Sequence, residues 1–155
     1  MISTSERSAE LVVTVGSRFF SVPLAHVIET TRPLPVEVVP EMPSFVRGVS
    51  VIRGAPVPVV DLAAAMGVTE KGAGSRFVLL RLGDRRVALI VDTILGVREI
   101  DAAGIGEMPP LLRGASAEII ETMGTLDAQL LVVLRATRLL PEAIWQTLEA
   151  RQATS

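Results

Sequence analysis

The chain has no cysteine and no tyrosine, a single histidine and a single tryptophan, and aromatic residues fill only 3% of its 155 positions. Without cysteine there are no disulfides, no thiolate nucleophile and no thiolate metal ligand. One histidine, His26, leaves zinc short of the clustered ligands it needs. The same residue would have to serve any Ser-His-Asp triad, and no Gly-x-Ser-x-Gly elbow accompanies it. His26 therefore reads as a solvent-facing or edge histidine. Gly72-Ala73-Gly74 is followed by neither the lysine nor the helix of a phosphate loop. Nothing in the chain calls for a metal or a cofactor.

Charge is equally restrained. The net value is −2 and the basic residues are scattered along the chain, so no positive stripe exists for nucleic acid or anionic lipid. No run reaches the roughly 18 uninterrupted apolar residues of a membrane span, and Met1 to Glu10 is polar with no signal-like core. These absences predict a soluble, cytoplasmic protein without direct membrane insertion.

What is abundant is aliphatic material: 49% of residues are apolar, so Val, Leu and Ile must fill the interior. The runs are short and punctuated. Leu11 to Val15 stops at Gly16-Ser17-Arg18, and Phe20, Val22 and Leu24 then alternate with Phe19, Ser21 and Pro23, the pattern of a hairpin. Val27-Ile28-Glu29 resumes after Pro23, and Arg32 to Pro43, with four prolines, is an extended connection. Val46 to Ile52 and Val57 to Val60 flank the turn Arg53-Gly54. Asp61 caps a short helix, Leu62 to Met66, that Gly67 stops.

The second half repeats the theme. Phe77 to Leu82 turns at Gly83-Asp84 into Arg86 to Val91, a nearly continuous apolar run suited to burial on both faces, and the chain continues past Asp92 to Val97. Glu118 to Met123 pairs with Leu130 to Leu134. Pro141-Glu142 opens a terminal helix with Ala143, Ile144, Thr147 and Leu148 inward and Trp145 on its flank.

Two segments recur. Leu11 to Arg18 overlies Val78 to Arg85 with apolar residues and glycine in the same slots, and Glu41-Met42-Pro43 through Arg47-Gly48 returns as Glu107-Met108-Pro109 through Arg113-Gly114. Short strands at about ten-residue spacing with small helices predict an all-β molecule of two barrel-like units. The expected division is a flexible tail over residues 1–10, a two-unit body over 11–140 with its internal boundary at 68–76, and a helix and tail over 141–155.

Two carboxylates end apolar runs, in Val59-Val60-Asp61 and Ile90-Val91-Asp92. Such a pair suits acid/base hydrolysis if the two converge about 5 to 9 Å apart in a pocket; as structure, they are a helix cap and a turn. Arg53, between Ile52 and Gly54, is either an ordinary turn arginine or a fixed guanidinium organising a docking surface, paired with Glu29. Val27 and Val97 are either core or apolar groove residues. An SH3-like nucleic-acid binder would need exposed aromatics and a positive face, and this chain has neither in supply.

The stretch from Phe45 to Leu62, Phe-Val-Arg-Gly-Val-Ser-Val-Ile-Arg-Gly-Ala-Pro-Val-Pro-Val-Val-Asp-Leu, resembles the hallmark of CheW-like domains, the couplers of bacterial chemotaxis arrays. Val15-Gly16 to Val22-Pro23-Leu24 with Val27 and Glu29, and Arg86 to Val97 around Val91-Asp92, join it in the family's order. The resemblance covers about residues 11 to 140. It implies two five-stranded SH3-like barrels related by pseudo-symmetry and sharing an apolar core, with a short helix after the first and a helix at the C-terminus. It further implies a scaffold without catalysis that joins the cytoplasmic tips of chemoreceptors to the regulatory domain of a CheA-type histidine kinase. Val27, Glu29, Gly48, Arg53, Gly54 and Val97 match positions implicated in partner contact, and Ala88 lies on the strand facing them. Pro56 and Thr30 depart from the family pattern. With no receiver, kinase or methyl-accepting segment in the sequence, the resemblance is to the free-standing adaptor.

Overall fold

The computed structural model describes residues 7–70, 72–101 and 117–154. The first apolar run, β1 (Arg7–Val15), turns at Gly16-Ser17 into β2 (Arg18–Pro23), and a single 3-10 turn over Leu24–His26 leads to β3 (Val27–Thr31). The proline-rich connection crosses to β4 (Val46–Ile52), β5 (Ala55–Asp61) and α1 (Leu62–Met66). Asp61 accepts from the Ala64 amide and Gly67 ends the helix in the left-handed region, as the sequence predicts. The second half gives β6 (Arg76–Leu82), β7 (Arg85–Val91), β8 (Thr93–Asp101), β9 (Ile120–Leu126), β10 (Gln129–Leu134) and α2 (Glu142–Thr154). No helix among the described residues is long and apolar enough to cross a membrane.

The strands form two five-stranded sheets, β8-β1-β2-β10-β9 and β3-β6-β7-β5-β4. The two orders superimpose place for place: β1-β2 and β6-β7 are the central hairpins, β8 and β3 flank them, and the β9-β10 and β4-β5 hairpins complete each sheet. Each sheet contains one parallel pair, β10 with β2 and β5 with β7. The sequence halves are thus real repeats, but neither half is a sheet. The central hairpin of each half is completed by three strands of the other, because β3 pairs with β6 and β8 with β1.

This overturns the boundary expected at 68–76. The chain passes between sheets at Leu24–His26 and at Asp92, whereas the 68–76 segment joins β5 to β6 within one sheet. The residues expected to be a flexible tail also need correction, since Ser8, Ala9 and Glu10 pair with Ile100, Glu99 and Arg98 of β8. A backbone ladder is indifferent to side-chain polarity, so the apolar pattern marks only part of the strand. The second copy of the Glu41 to Gly48 motif, at Glu107 to Gly114, lies outside the described residues; β9, starting at Ile120, holds the place of β4.

Side chains alternate between sheet faces, and that alternation sorts the core into layers. Leu11, Val13 and Val15 of β1, Phe20 and Val22 of β2, Val78 and Leu80 of β6, and Val87, Leu89 and Val91 of β7 meet in one cluster shared by both sheets. Their neighbours point the other way. Val12, Ile100, Leu131 and Val133 fill the inside of the first barrel, and Ile52, Val57, Val59, Phe77, Leu79 and Ala88 the inside of the second. Strand β7 is thus apolar on both faces, as its unbroken run predicts. In α2 the buried face is Trp145 and Leu148 with Ile144 partly covered; Ala143 and Thr147, expected inward, are exposed.

The two barrel interiors differ at one point. Glu10 and Ser21 occupy the first barrel's equivalents of Phe77 and Ala88; both are buried, and Ser21 Oγ donates to Glu10 Oε1 at 3.0 Å. Burial pushes the Glu10 carboxyl above the ordinary glutamate value, partly offset by the Ser21 hydrogen bond. The folded state then holds this proton more tightly than the unfolded chain, so stability must fall as pH rises from the ordinary glutamate value through the raised one. Urea midpoints measured across that interval should decline, and Glu10→Gln should flatten the decline and raise the midpoint at neutral pH.

Candidate protein-docking surface

Strands β3 and β4 are the two outer strands of the second sheet. At the turn between β4 and β5, Arg53 donates from Nε to Glu29 Oε2 at 2.5 Å and from Nη2 to Glu29 Oε1 at 2.9 Å. Glu29 sits on β3. A contact between opposite ends of one sheet requires the sheet to curl until they meet, so this two-point ion pair closes the barrel's seam. The pairing expected from the sequence is present. Its arginine side chain remains 70% exposed, so water and salt screen the pair and its role is to fix geometry more than to stabilise the fold.

Arg53 also holds φ at 52°, in the left-handed region that glycine or asparagine normally supplies, with Gly54 at 80°. Two successive positive φ values make the tight hairpin turn that matches strand twist. An arginine there carries backbone strain for a side chain aimed at one place, which is the pattern of a residue retained for its head group. In the first barrel Gly96 stands where Glu29 does and Asp127 where Arg53 does, so no such pair can form. The seam is marked in one barrel alone.

Exposed apolar residues mark the outer strands of both barrels. Both barrels carry a bulge at the same register, between Val27 and Glu29 on β3 and at Leu95 on β8, and the extra residues Ile28 (42%) and Leu95 (41%) are exposed. Val97 is 49% and Val51 66% exposed. Sequence reasoning named Val97 but missed Ile28, Leu95 and Val51; setting β3 against β8 in the repeat would have found the first two, since both fall on the extra residue of a bulge.

The remaining expected site residues divide differently. Val27 is half-buried and packs against the shared core. Ala88 is fully buried inside the second barrel, so its place among surface residues is corrected: its face of β7 points inward. Gly48 is also buried. The extended connection lies directly on it, with Glu37 and Val49 exchanging two backbone hydrogen bonds of 2.8 Å, and a Cβ on Gly48 would stand 2.0 Å from the Glu37 carbonyl oxygen. Its φ of 143° adds to the exclusion of any side chain. Gly54 has open space around it and serves the turn.

Asp61 and Asp92 do line one open hollow, of about 340 Å³. Their oxygens hold structure. Asp61 Oδ2 accepts from Arg47 Nε and Nη2 at 3.0 and 2.7 Å, and Oδ1 caps α1. Asp92 Oδ2 accepts from the Gly16 amide and Oδ1 from the Gly74 amide, each at 2.7 Å. The Asp92 carboxylate therefore pins the first hairpin's turn and the 72–75 segment to the place where the chain changes sheets. His26 lies at the other crossing, its Nδ1 donating to the Arg81 carbonyl at 3.2 Å.

A family model described as the CheW-like domain matches residues 10–143. The chain is 34% identical over 121 residues to Protein FrzA of Myxococcus xanthus, covering 74% of each. It is 26% identical over 133 residues to the chemotaxis protein CheW of Klebsiella aerogenes, covering 84% of this chain and 80% of that one. The crystal structure of the scaffolding protein TtCheW from Thermoanaerobacter tengcongensis superimposes with a TM-score of 0.75 at 23% identity, over 88% of this chain and 89% of that one. That likeness carries the fold, two SH3-like barrels.

Two outcomes follow from this geometry. Gly48→Ala should destabilise the protein by about 3 kcal/mol or more, because it forces a clash with backbone at a positive φ, as a shift in the urea midpoint would show. The Arg53 guanidinium, chiefly through its hydrogen bonds, holds the Glu29 carboxyl below the usual carboxylate range. An NMR titration should place the Glu29 midpoint below the ordinary value and return it upward in Arg53→Ala; an unchanged midpoint would mean the pair does not persist in solution.

Proposed function

The chain belongs to the family of CheW-like domains, which act in chemotaxis-type signalling, and from that premise we propose that it is a non-catalytic cytoplasmic adaptor. Its partners in this reading are the cytoplasmic tip of a chemoreceptor and the regulatory domain of a CheA-type histidine kinase. The observation that carries the proposal is the Glu29–Arg53 seam, a strained and oriented arginine beside exposed aliphatic residues, present in one barrel and impossible in the other. A helical tip binds an apolar surface with a charged rim that sets register, and Glu29, Arg53, Gly54, Ile28 and Val97 supply those elements. Gly48 and Val27 support the surface from beneath.

Repeats with different side chains present two faces that are not interchangeable, so one molecule bridges different partners and the contacts extend into an array. Each contact need only be about micromolar, near −8 kcal/mol, with strength arising from multiplicity. The hydrolase alternative draws on the hollow shared by Asp61 and Asp92. Against it stands the engagement of both carboxylates with backbone amides and Arg47.

Co-purification with a CheA-type kinase and a receptor fragment tests the assignment. Arg53→Ala and Val97→Glu should each weaken binding to at least one partner by about tenfold while leaving the thermal midpoint nearly unchanged. Unimpaired binding of both variants to both partners would refute the docking surface.

A further inference from the structure

The repeat supplies its own template for a second binding site. In the second barrel α2 lies against the β6-β7 turn, where Arg85 pairs with both Glu142 and Glu149 and stacks 5.0 Å from the centre of the Trp145 ring. The guanidinium donates to both oxygens of Glu142 and both of Glu149. These carboxylates raise the affinity of Arg85 for its proton and hold Glu142 below the usual carboxylate range. The large apolar residues of α2 are few, Ile144, Trp145 and Leu148, so this clasp adds the orientation that a broad apolar stripe would otherwise give.

The first barrel has the equivalent arginine without a helix against it, although Val68 and Glu70 lie over the neighbouring Gly16. Arg18 stands across the β1-β2 turn from Val15 as Arg85 stands across the β6-β7 turn from Leu82. Beside it, Gln129 and Leu130 take the register places of Ala55 and Pro56, the residues that flank Trp145 and Leu148 in the second barrel. Together Arg18, Phe19, Leu130 and Val132 line an open hollow of about 310 Å³, close to the 330 Å³ beside α2. The element that holds the place of α2 in the first half is α1. It is five residues long and stops at Gly67, after which Glu70 accepts from Ser17 Oγ at 2.6 Å. Arg18 makes no ion pair among the described residues. Leu130, half-buried here, replaces the exposed Pro56, while the Phe19 side chain packs toward the first barrel's interior.

We infer that the hollow at Arg18, Phe19 and Leu130 is a docking site for an acidic amphipathic helix of a partner protein, with the chemistry that α2 already displays: carboxylates seven residues apart bracketing an aromatic and a leucine. The site lies on the β2-β10 side of the first barrel, on a different sheet from the Glu29–Arg53 seam, and it stands whether or not the receptor and kinase reading holds. The occupant is specified by charge complementarity to Arg18 and by the helix whose two carboxylates clasp the equivalent Arg85.

The probe is a fluorescent synthetic peptide carrying residues 140–154, titrated into the full chain and followed by anisotropy, with amide shifts recorded by NMR. Saturable binding that perturbs Ser17 to Phe19, and that falls about tenfold or more in Arg18→Glu, is the expected result. The same loss should follow when Glu142 and Glu149 of the peptide are both glutamine, which removes the charges without altering the protein. Absence of saturable binding, indifference to Arg18→Glu in a variant that retains its unfolding midpoint, or shifts centred on Asp84 to Arg86, meaning exchange into the slot of α2, would each overturn the site.

Discussion

Everything in this molecule depends on an exchange of strands. Each half of the chain forms a central hairpin and then sends its next three strands to the other half, so neither barrel has a complete sheet until both halves are present. The apolar cluster shared by β1, β2, β6 and β7 is the thermodynamic counterpart of that topology. Each of these strands buries one row of side chains in its own barrel and the alternate row against the other, and burying each Leu or Phe contributes about 1.5 to 3 kcal/mol. Two units of this size would be marginal alone; interleaved, they form one cooperative body. The crossing points carry polar locks suited to the task. Asp92 ties two separate backbone segments to the second crossing, and His26 ties the first to the Arg81 carbonyl.

Against this nearly exact repetition of backbone, the charges do not repeat. Arg47 pairs with Asp61 across the bulge of β4 and β5, and at the same places in the first barrel Glu121 pairs with Arg135, the same cross-strand bond with its polarity reversed. Even the backbone bonds beside them correspond: the Asp61 amide donates to Phe45 at 2.8 Å and the Arg135 amide to Ile119 at 2.5 Å. The seam ion pair of the second barrel faces glycine and aspartate in the first. A pair of repeats with matched shapes and unmatched charges can distinguish partners that a symmetric pair would bind alike.

The elements were legible in the sequence because aliphatic alternation and Gly or Pro punctuation are local signals. The β4-Arg53-Gly54-β5 hairpin, the Asp61 cap and the doubly apolar β7 follow from residues a few positions apart, and the recurrence of Leu11 to Arg18 at Val78 to Arg85 gave the twofold plan. The strand exchange was not legible, because a hydrophobic pattern says that β3 must pair without saying with which hairpin. The same blindness explains the site. Gly48 and Ala88 belong to motifs rich in exposed positions, and only the path of the proline-rich connection and the inward turn of one face of β7 place both in the interior. Glu29 and Arg53 were named together, yet their meaning, closure of a curled sheet, depends on long-range topology.

The carboxylates show how the same residues bear on two opposite functions. Asp61 and Asp92 share a hollow, the arrangement a hydrolase would require. Acid/base work, however, needs an oxygen free to take or give a proton to a substrate, and here the oxygens of both groups accept from backbone amides or a guanidinium that belong to the fold. Withdrawing either carboxylate for chemistry would uncap α1 and free Arg47 in one case, and release Gly16 and Gly74 at a crossing in the other. Arg53 stands in the reverse situation: its strain and exposure give the fold little, and its head group is held where another protein can reach it. The groups that the fold leaves most exposed here are an arginine and the aliphatic residues of two bulged edge strands.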